Sequence, residues 1–545
     1  MAHSESLPYR GRDVGSKPKP EKSNSYWLML LPNELTHEIL GYCSPDDFES
    51  VLLTCKDMFA AGSAMVPKHN RMQKQFRHFS YNRPRKNSFL DEATGMRHYC
   101  DVPAAFVEDT FAVDSPLQLL RQIAGDPRTT IYIRSINFEY TSRPRANTLP
   151  YTWASESTAA SDDKLLSLIR NSPYLVDAGV DVDLWINAMG SKEFREFEKE
   201  LLAVTLLLTL LPNVREITPA AHWDTLWEHG PTVHDAVWAV LDVIVQKANE
   251  LNAQESGASL AKLEVVKRPL ITAYDHRVAF QGLTPFLAIN NVREFQTANA
   301  IAKYDNFTKK SFRPRYDTYS RNLETMIMAG CVVGRAELSI ILSRTPNVTT
   351  LRFSHETKWH NVGHNFNYAS FLATTQKFLG KTLKLLTLSL VECYGGRGPA
   401  VVSLHGFKAL ETLEIDVGAF IGPAVDESSV HWSDEEDPDG PLSETGLVNI
   451  LPPTLRTLRL YVGDTVIGEE AERDRIWSLF RGFREAREEK LPLLRNISLS
   501  FPARYHRPTR LLTTLHNVSV VVLEGDGPDN LGVGCEGCVS NGKFL

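Results

Sequence analysis

Along this chain an apolar residue is followed, again and again, by others three and five positions later, and nothing else in it limits the fold as much. The complete groups are Ile133/Ile136/Phe138, Leu175/Ala178/Val180, Leu260/Leu263/Val265, Val348/Leu351/Phe353, Leu383/Leu386/Leu388, Leu410/Leu413/Ile415, Leu455/Leu458/Leu460, Leu494/Ile497/Leu499 and Val518/Val521/Leu523. Val214/Ile217 and Val292/Phe295 are incomplete members. The last two positions of each group alternate as in a short strand with one buried face. Turn residues such as Pro212-Asn213, Pro346-Asn347 and Pro452-Pro453 precede several of them. Helical spacing precedes the strands over 161–171, 191–211, 235–251 and 322–343, so one order of elements returns: helix, turn, strand. Each such unit is too small to cover its own apolar face and must stack on its neighbours.

The pattern is the strand signature of leucine-rich repeats. Its intervals are irregular: 383 to 410 is 27 residues and 494 to 518 is 24, but 292 to 348 is 56 and 410 to 455 is 45. Regular arrays repeat every 20–29 residues. The expectation is therefore an α/β fold: an irregular leucine-rich-repeat-like solenoid over 131–525, with parallel strands and outer helices. An irregular α/β domain with leucine-rich strands is the competing reading. An acidic insertion at 425–440 holds Asp426, Glu427, Asp434, Glu435, Glu436, Asp437 and Asp439. At 545 residues the chain exceeds one ordinary core.

Ahead of the array, residues 31–59 read as two short helices. Pro32 is expected at the first helical position, followed by Glu34 and Glu38 near the positive end of the helix dipole. Leu31, Leu35, Ile39 and Leu40 form its apolar stripe. The second helix is expected to start with Ser44 as N-cap and Pro45 next, with Phe48, Val51, Leu52, Cys55 and Phe59 on its apolar side. Helices this short are marginal alone, so another surface must cover them.

This stretch resembles an F-box, through Leu31-Pro32-x-Glu34-Leu35, Glu38-Ile39, Asp47-Phe48 and Cys55-Lys56 with Phe59. Cys43 stands where the family usually carries a leucine. The resemblance implies docking onto a Skp1-type adaptor, and through it onto a cullin, by Leu31, Pro32, Leu35, Ile39, Leu40, Leu52, Cys55 and Phe59. The segments then divide into a polar N-terminal stretch (1–25, expected disordered), an all-helical F-box (26–80), a helical linker (81–130), the repeat region and a Gly-rich tail (526–545). Ser115 to Gly125 is a well-marked helix in the linker, with N-cap, N1 proline and closing glycine. Its passage into the strand near Ile133 resembles F-box proteins of filamentous fungi.

The remaining features exclude more than they suggest. A net charge of −7 argues against nucleic-acid binding by the whole chain. The basic run Lys68 to Lys86 reads as a solvated helix. Seven scattered cysteines indicate a reducing compartment rather than a disulfide framework. The first 25 residues lack a signal-peptide core, and the longest apolar run, Leu201 to Leu211, is shorter than the ~20 residues a membrane span needs. Cytoplasmic or nuclear placement follows, with no membrane partner. Cys535-x-x-Cys538 lacks the further ligands that zinc requires. His355-Glu356 with His360 has the wrong spacing for a metal on one helix face and reads as surface. With no phosphate loop, zinc-protease signature or nucleophile elbow, the expectation is a chain with no catalytic residue, no cofactor and no metal.

The reading is a non-catalytic substrate receptor of an SCF-type ubiquitin ligase, holding an unidentified target on the strand face of the repeats. Arg352, Ser389, Arg456 and Arg459 flank strand leucines and are candidates for that contact. The alternatives are a repeat scaffold without a ligase role and a leucine-rich enzyme regulator such as a GTPase activator.

Overall fold

The computed structural model describes residues 31–80, 86–90, 97–101, 115–138, 163–190, 196–219, 231–304, 312–421, 446–462, 476–501 and 520–524, apart from positions 44, 269, 271–273, 275–276, 360–361, 397 and 477. The chain divides into two compact units, Met1–Gln75 and Phe76–Leu545.

The first unit is helical: α1 Asn33–Tyr42, α2 Phe48–Leu52, α3 Lys56–Gly62 and α4 Val66–Phe76. Its core is Leu40, Phe48, Leu52 and Met58, with Val51, Cys55, Met65 and Val66 packed against them. Pro32 takes the N-cap position of α1 instead of the first helical position. The second helix does not start at Ser44-Pro45. Residues 45–47 form a turn, and α2 begins at Phe48. It also stops at Leu52, and a separate helix starts where the Cys55 sulfur accepts the Met58 N–H at 3.4 Å. The expected single apolar side from Phe48 to Phe59 is thus split between two helix directions. Gly62 is where α3 comes closest to the core: a Cβ there would lie 2.2 Å from Leu52 Cδ2 and 3.0 Å from Leu40 Cδ1. His69 on α4 is buried, stacks on Phe48 at 4.5 Å and lies 3.7 Å from Glu49.

The second unit is built on one large parallel sheet. Its strands are β1 His78–Ser80, β4 Ser135–Asn137, β5 Glu216–Thr218, β6 Val265–Lys267, β8 Glu294–Ala298, β10 Thr325–Val333, β11 Thr350–Glu356, β12 Leu385–Glu392, β13 Thr412–Asp416, β14 Thr457–Tyr461, β15 Asn496–Phe501 and β16 Val520–Glu524. They lie side by side in the order in which the chain makes them. The short strands β7 Val278–Ala279 and β9 Ala300–Ala302 extend it beside β10, and β2 Lys86–Leu90 with β3 Arg97–Asp101 form a separate antiparallel pair. Between strands run the helices α5 Pro116–Gly125, α6 Thr129–Tyr132, α7 Asp163–Arg170, α8 Pro173–Asp177, α9 Val182–Gly190, α10 Glu196–Leu208, α11 Pro231–Ala248, α12 Thr284–Leu287, α13 Arg335–Ser343 and α14 Tyr368–Leu379. Crossovers of this kind are what let parallel strands sit next to one another.

Two rows define the sheet. Phe79, Ile136, Ile217, Val266, Phe295, Met326, Leu351, Leu386, Leu413, Leu458 and Ile497 occupy one register row, and all are buried. Just before each strand a carbonyl accepts two successive N–H groups of the next rung. The acceptors are Arg77, Arg134, Arg215, Glu264, Arg293, Glu324, Thr349, Lys384, Glu411 and Arg456. Along the chain these carbonyls are as little as 25 residues apart (324 to 349) and as much as 81 (134 to 215). The junction repeats strictly while the connection does not. Satisfying backbone groups fixes the first, and a long insertion costs little in the second.

The register rows correct several sequence groups. Leu175/Ala178/Val180 is not a strand: Pro173 at the first helical turn starts α8, and Gly179, with φ of +64°, ends it. The β6 group is Leu263/Val266, three residues on from the one expected, and Val520 rather than Val521 faces Ile497. The region 322–343 is not one helix, since β10 occupies Thr325–Val333 and only Arg335–Ser343 is helical. Leu323/Met326/Met328 is the missed member. It divides the 56-residue gap into 31 (292 to 323) and 25 (323 to 348). The strands also begin at His78, inside the segment expected to be all-helical. The helices expected near 115–125, 161–171, 191–211 and 235–251 are α5, α7, α10 and α11, and Ser115 caps α5 by accepting the Gln118 N–H.

Candidate functional site

The residues expected to meet an adaptor fall into two sets. Leu40 and Leu52 are buried in the helical unit, and Cys55 is half-buried as the cap of α3. Pro32, Leu35 and Phe59 face outward, Leu35 at 46% exposure and Phe59 at 53%, while Leu31 and Ile39 are half-buried. Two further apolar side chains that the sequence reading passed over are more exposed still, Tyr42 at 81% and Leu53 at 79%. Leu53 is outside because α2 ends one residue before it, a break that no glycine or proline marks in the sequence. Among its described residues this helical unit therefore carries several large apolar groups on its surface.

On the sheet, alternation places polar residues opposite the leucine row. Arg352, Thr387, Glu414 and Arg459 share one register row on β11 to β14. The Thr387 hydroxyl donates to Glu414 Oε2 and Arg459 to Oε1, both at 2.8 Å, so the carboxylate is held between neighbouring strands. Asp416 accepts from the Tyr368 hydroxyl at 3.1 Å and from the Leu390 N–H at 2.7 Å. Burial, together with the Glu414 charge, raises the Tyr461 phenol above its usual range. Of the four candidates for target contact, Arg459 and Arg456 are exposed, Arg456 beside Glu411 at 3.4 Å, and Arg352 is half-buried. Ser389 is fully buried and does not face a partner.

A third constellation was not legible in the sequence. Just after β8, within β10 and at the end of β11 the ladder is irregular. Asn299 has φ of +57°, Gly330 has φ of +56°, and the register shifts between Met328 and Cys331 and again between His355 and Glu356. Such bulges re-aim side chains. Here they gather polar groups into the interior. Lys358, fully buried, donates from Nζ to Asn299 Oδ1 at 2.8 Å and to Glu356 Oε2 at 2.5 Å. His355 Nε2 lies 2.7 Å from the Gly363 carbonyl, and burial pushes its pKa down to about 4. Burial pushes the Cys331 thiol up to about 12, which makes it a poor nucleophile. His355 and Glu356 are thus interior, contrary to the expectation of a surface pair. Alternation would have placed one of them outside, but both are buried, where the pairing with β12 skips Val391.

Among the described residues no group of three His, Cys, Asp or Glu side chains is placed to hold a metal ion, and no helix is long and apolar enough to cross a membrane. His360, the acidic insertion, Cys535 with Cys538, and the first 25 residues lie outside the described residues. No protein-family model matches the chain, and no curated protein is significantly similar to it.

Proposed function

We propose that the helical unit is an F-box that docks onto a Skp1-type adaptor, and that the sheet unit is a leucine-rich-repeat-like solenoid presenting a target protein to an SCF-type ubiquitin ligase. The observation that carries this reading is the division of the Leu31–Phe59 residues. Leu40 and Leu52 close the unit, while Leu35, Tyr42, Leu53 and Phe59 are exposed on it. Each such apolar side chain, once covered, contributes roughly 1.5–3 kcal/mol. A few of them are enough for a stable complex after the cost of association.

The repeated carbonyl junction supports the solenoid reading, because the same backbone geometry recurs through ten successive acceptors whatever the length of the connection. The chain's contribution to ubiquitin transfer is then proximity. It raises the effective concentration of a target lysine near a conjugating enzyme held elsewhere in the assembly.

Reconstitution with adaptor and cullin tests the ligase role. Co-elution of all three as one species is the expected result. A complex with adaptor that excludes cullin would favour the non-ligase scaffold, and no complex at all would remove the F-box reading.

A further inference from the structure

We propose that Lys358 and Asn299 become joined by an intramolecular isopeptide bond, with Glu356 moving the protons of the reaction. The inference stands apart from the adaptor reading, since it concerns only the interior of the sheet unit.

Side chains from two separate segments, Asn299 on one and Glu356 with Lys358 on the other, meet at one nitrogen. Lys358 Nζ contacts Asn299 Oδ1 at 2.8 Å and Glu356 Oε2 at 2.5 Å, and all three residues are buried, Lys358 completely. The amide carbon of Asn299 is one C=O bond, about 1.2 Å, beyond that oxygen, which keeps it within about 4 Å of Nζ. Attack requires a separation of about 3–3.5 Å. Rotation about the broad terminal torsion of the asparagine side chain brings the carbon toward that distance. The backbone of Asn299 is held on both sides: its N–H donates to Ala329 O at 2.8 Å, and its carbonyl accepts from Val278 at 2.9 Å. The Asn299 side chain is therefore carried on a fixed backbone.

Burial supplies the chemistry. An ammonium–carboxylate pair taken out of water is expensive, and passing one proton from lysine to glutamate relieves both charges. The neutral amine that results is the nucleophile. It adds to Asn299 Cγ, and the protonated Glu356 hydrogen-bonds to the developing oxyanion. Glu356 then relays a proton from the attacking nitrogen to Nδ2, the Cγ–Nδ2 bond breaks, and ammonia leaves. In sum, lysine ammonium and asparagine amide give a secondary amide and one ammonium: the proton first taken by Glu356 leaves with the ammonia, and the carboxylate is restored. No electron is gained or lost and no co-reactant is needed. The dry interior protects the product from hydrolysis. The bond would tie the segment just after β8 to the segment just after β11 across β10, where β10 carries an extra residue.

The test is peptide mapping of the purified full chain under denaturing, reducing conditions. The expected result is a branched peptide joining the segments that carry residues 299 and 358, lighter than their sum by one ammonia, about 17 Da. Glu356→Gln, close in shape, should abolish the branch while circular dichroism remains that of the wild type. Separate linear peptides of full mass from folded wild-type protein would overturn the proposal. So would ammonia loss confined to a linear peptide at Asn299, which is cyclisation onto its own backbone. The wild-type map decides the matter even if the variant fails to fold.

Discussion

The two units break the usual division of polar and apolar residues in opposite directions. The helical unit keeps Tyr42, Leu53, Phe59 and Leu35 outside, whereas the sheet unit takes Lys358, Glu356, Asn299 and His355 inside. The difference lies in where the missing partner comes from. The exposed apolar groups of the small unit are what the proposed adaptor would cover. Buried polar groups must be satisfied within the chain, because water cannot reach them. The first departure thus bears on the proposed docking and the second on the fold's own interior.

Removing an interior partner should have the largest effect. Lys358→Ala removes the buried nitrogen that Glu356 and Asn299 share, leaves both without that partner and is expected to destabilise the sheet unit by about 3–5 kcal/mol in urea unfolding. A loss under 1 kcal/mol would mean that water reaches the site. In the helical unit the matching interior change is Leu40→Ala, expected to cost about 2–5 kcal/mol in the same measurement.

Acid comes next, acting on the sheet unit through His355. Buried His355 stays neutral in the fold with a pKa of about 4, while in the unfolded chain it takes a proton near its ordinary 6.5. The unfolded state therefore binds more protons between those values, so stability falls as pH drops from about 6.5 to about 4 and this contribution levels off below. The loss is up to about 3 kcal/mol. The groups acting on the ring are the Gly363 and Cys331 backbone, Lys358 and Lys303, all in the sheet unit. A His355→Asn variant should lose this part of the pH dependence, and an unchanged unfolding profile would contradict the assignment. Smaller again is Gly62→Ala, whose methyl would press on Leu52 and Leu40 and should cost about 1–3 kcal/mol. Smallest in stability is Phe59→Ser at the exposed face, expected within about 0.5 kcal/mol of wild type.

What the sequence showed and what it hid follow from the same contrast. Leu351, Leu386, Leu413 and Leu458 announced their strands because each rung uses the same apolar spacing. Met326 and Met328 did the same work unseen, since methionine also suits a helix and the run to Ser343 carried a helical rhythm. Pro173 made a helix of a leucine spacing that elsewhere makes a strand. The interior cluster was illegible for a different reason: residues 299 and 358 belong to different segments, brought together where Asn299 takes a left-handed turn and β10 carries an extra residue. Spacing along a chain does not report a bulge. In the helical unit the residue types resembling an F-box were readable, but their division into core and surface depended on the break after Leu52.

The most direct measurement is calorimetric titration of the purified chain with a Skp1-type adaptor, beside a Leu35→Ser/Phe59→Ser double variant. The account predicts sub-micromolar binding by the wild type and a loss of at least tenfold, about 1.4 kcal/mol, in a variant that unfolds at the same temperature. Absence of heat from a folded wild-type chain, or equal binding by the variant, would contradict it.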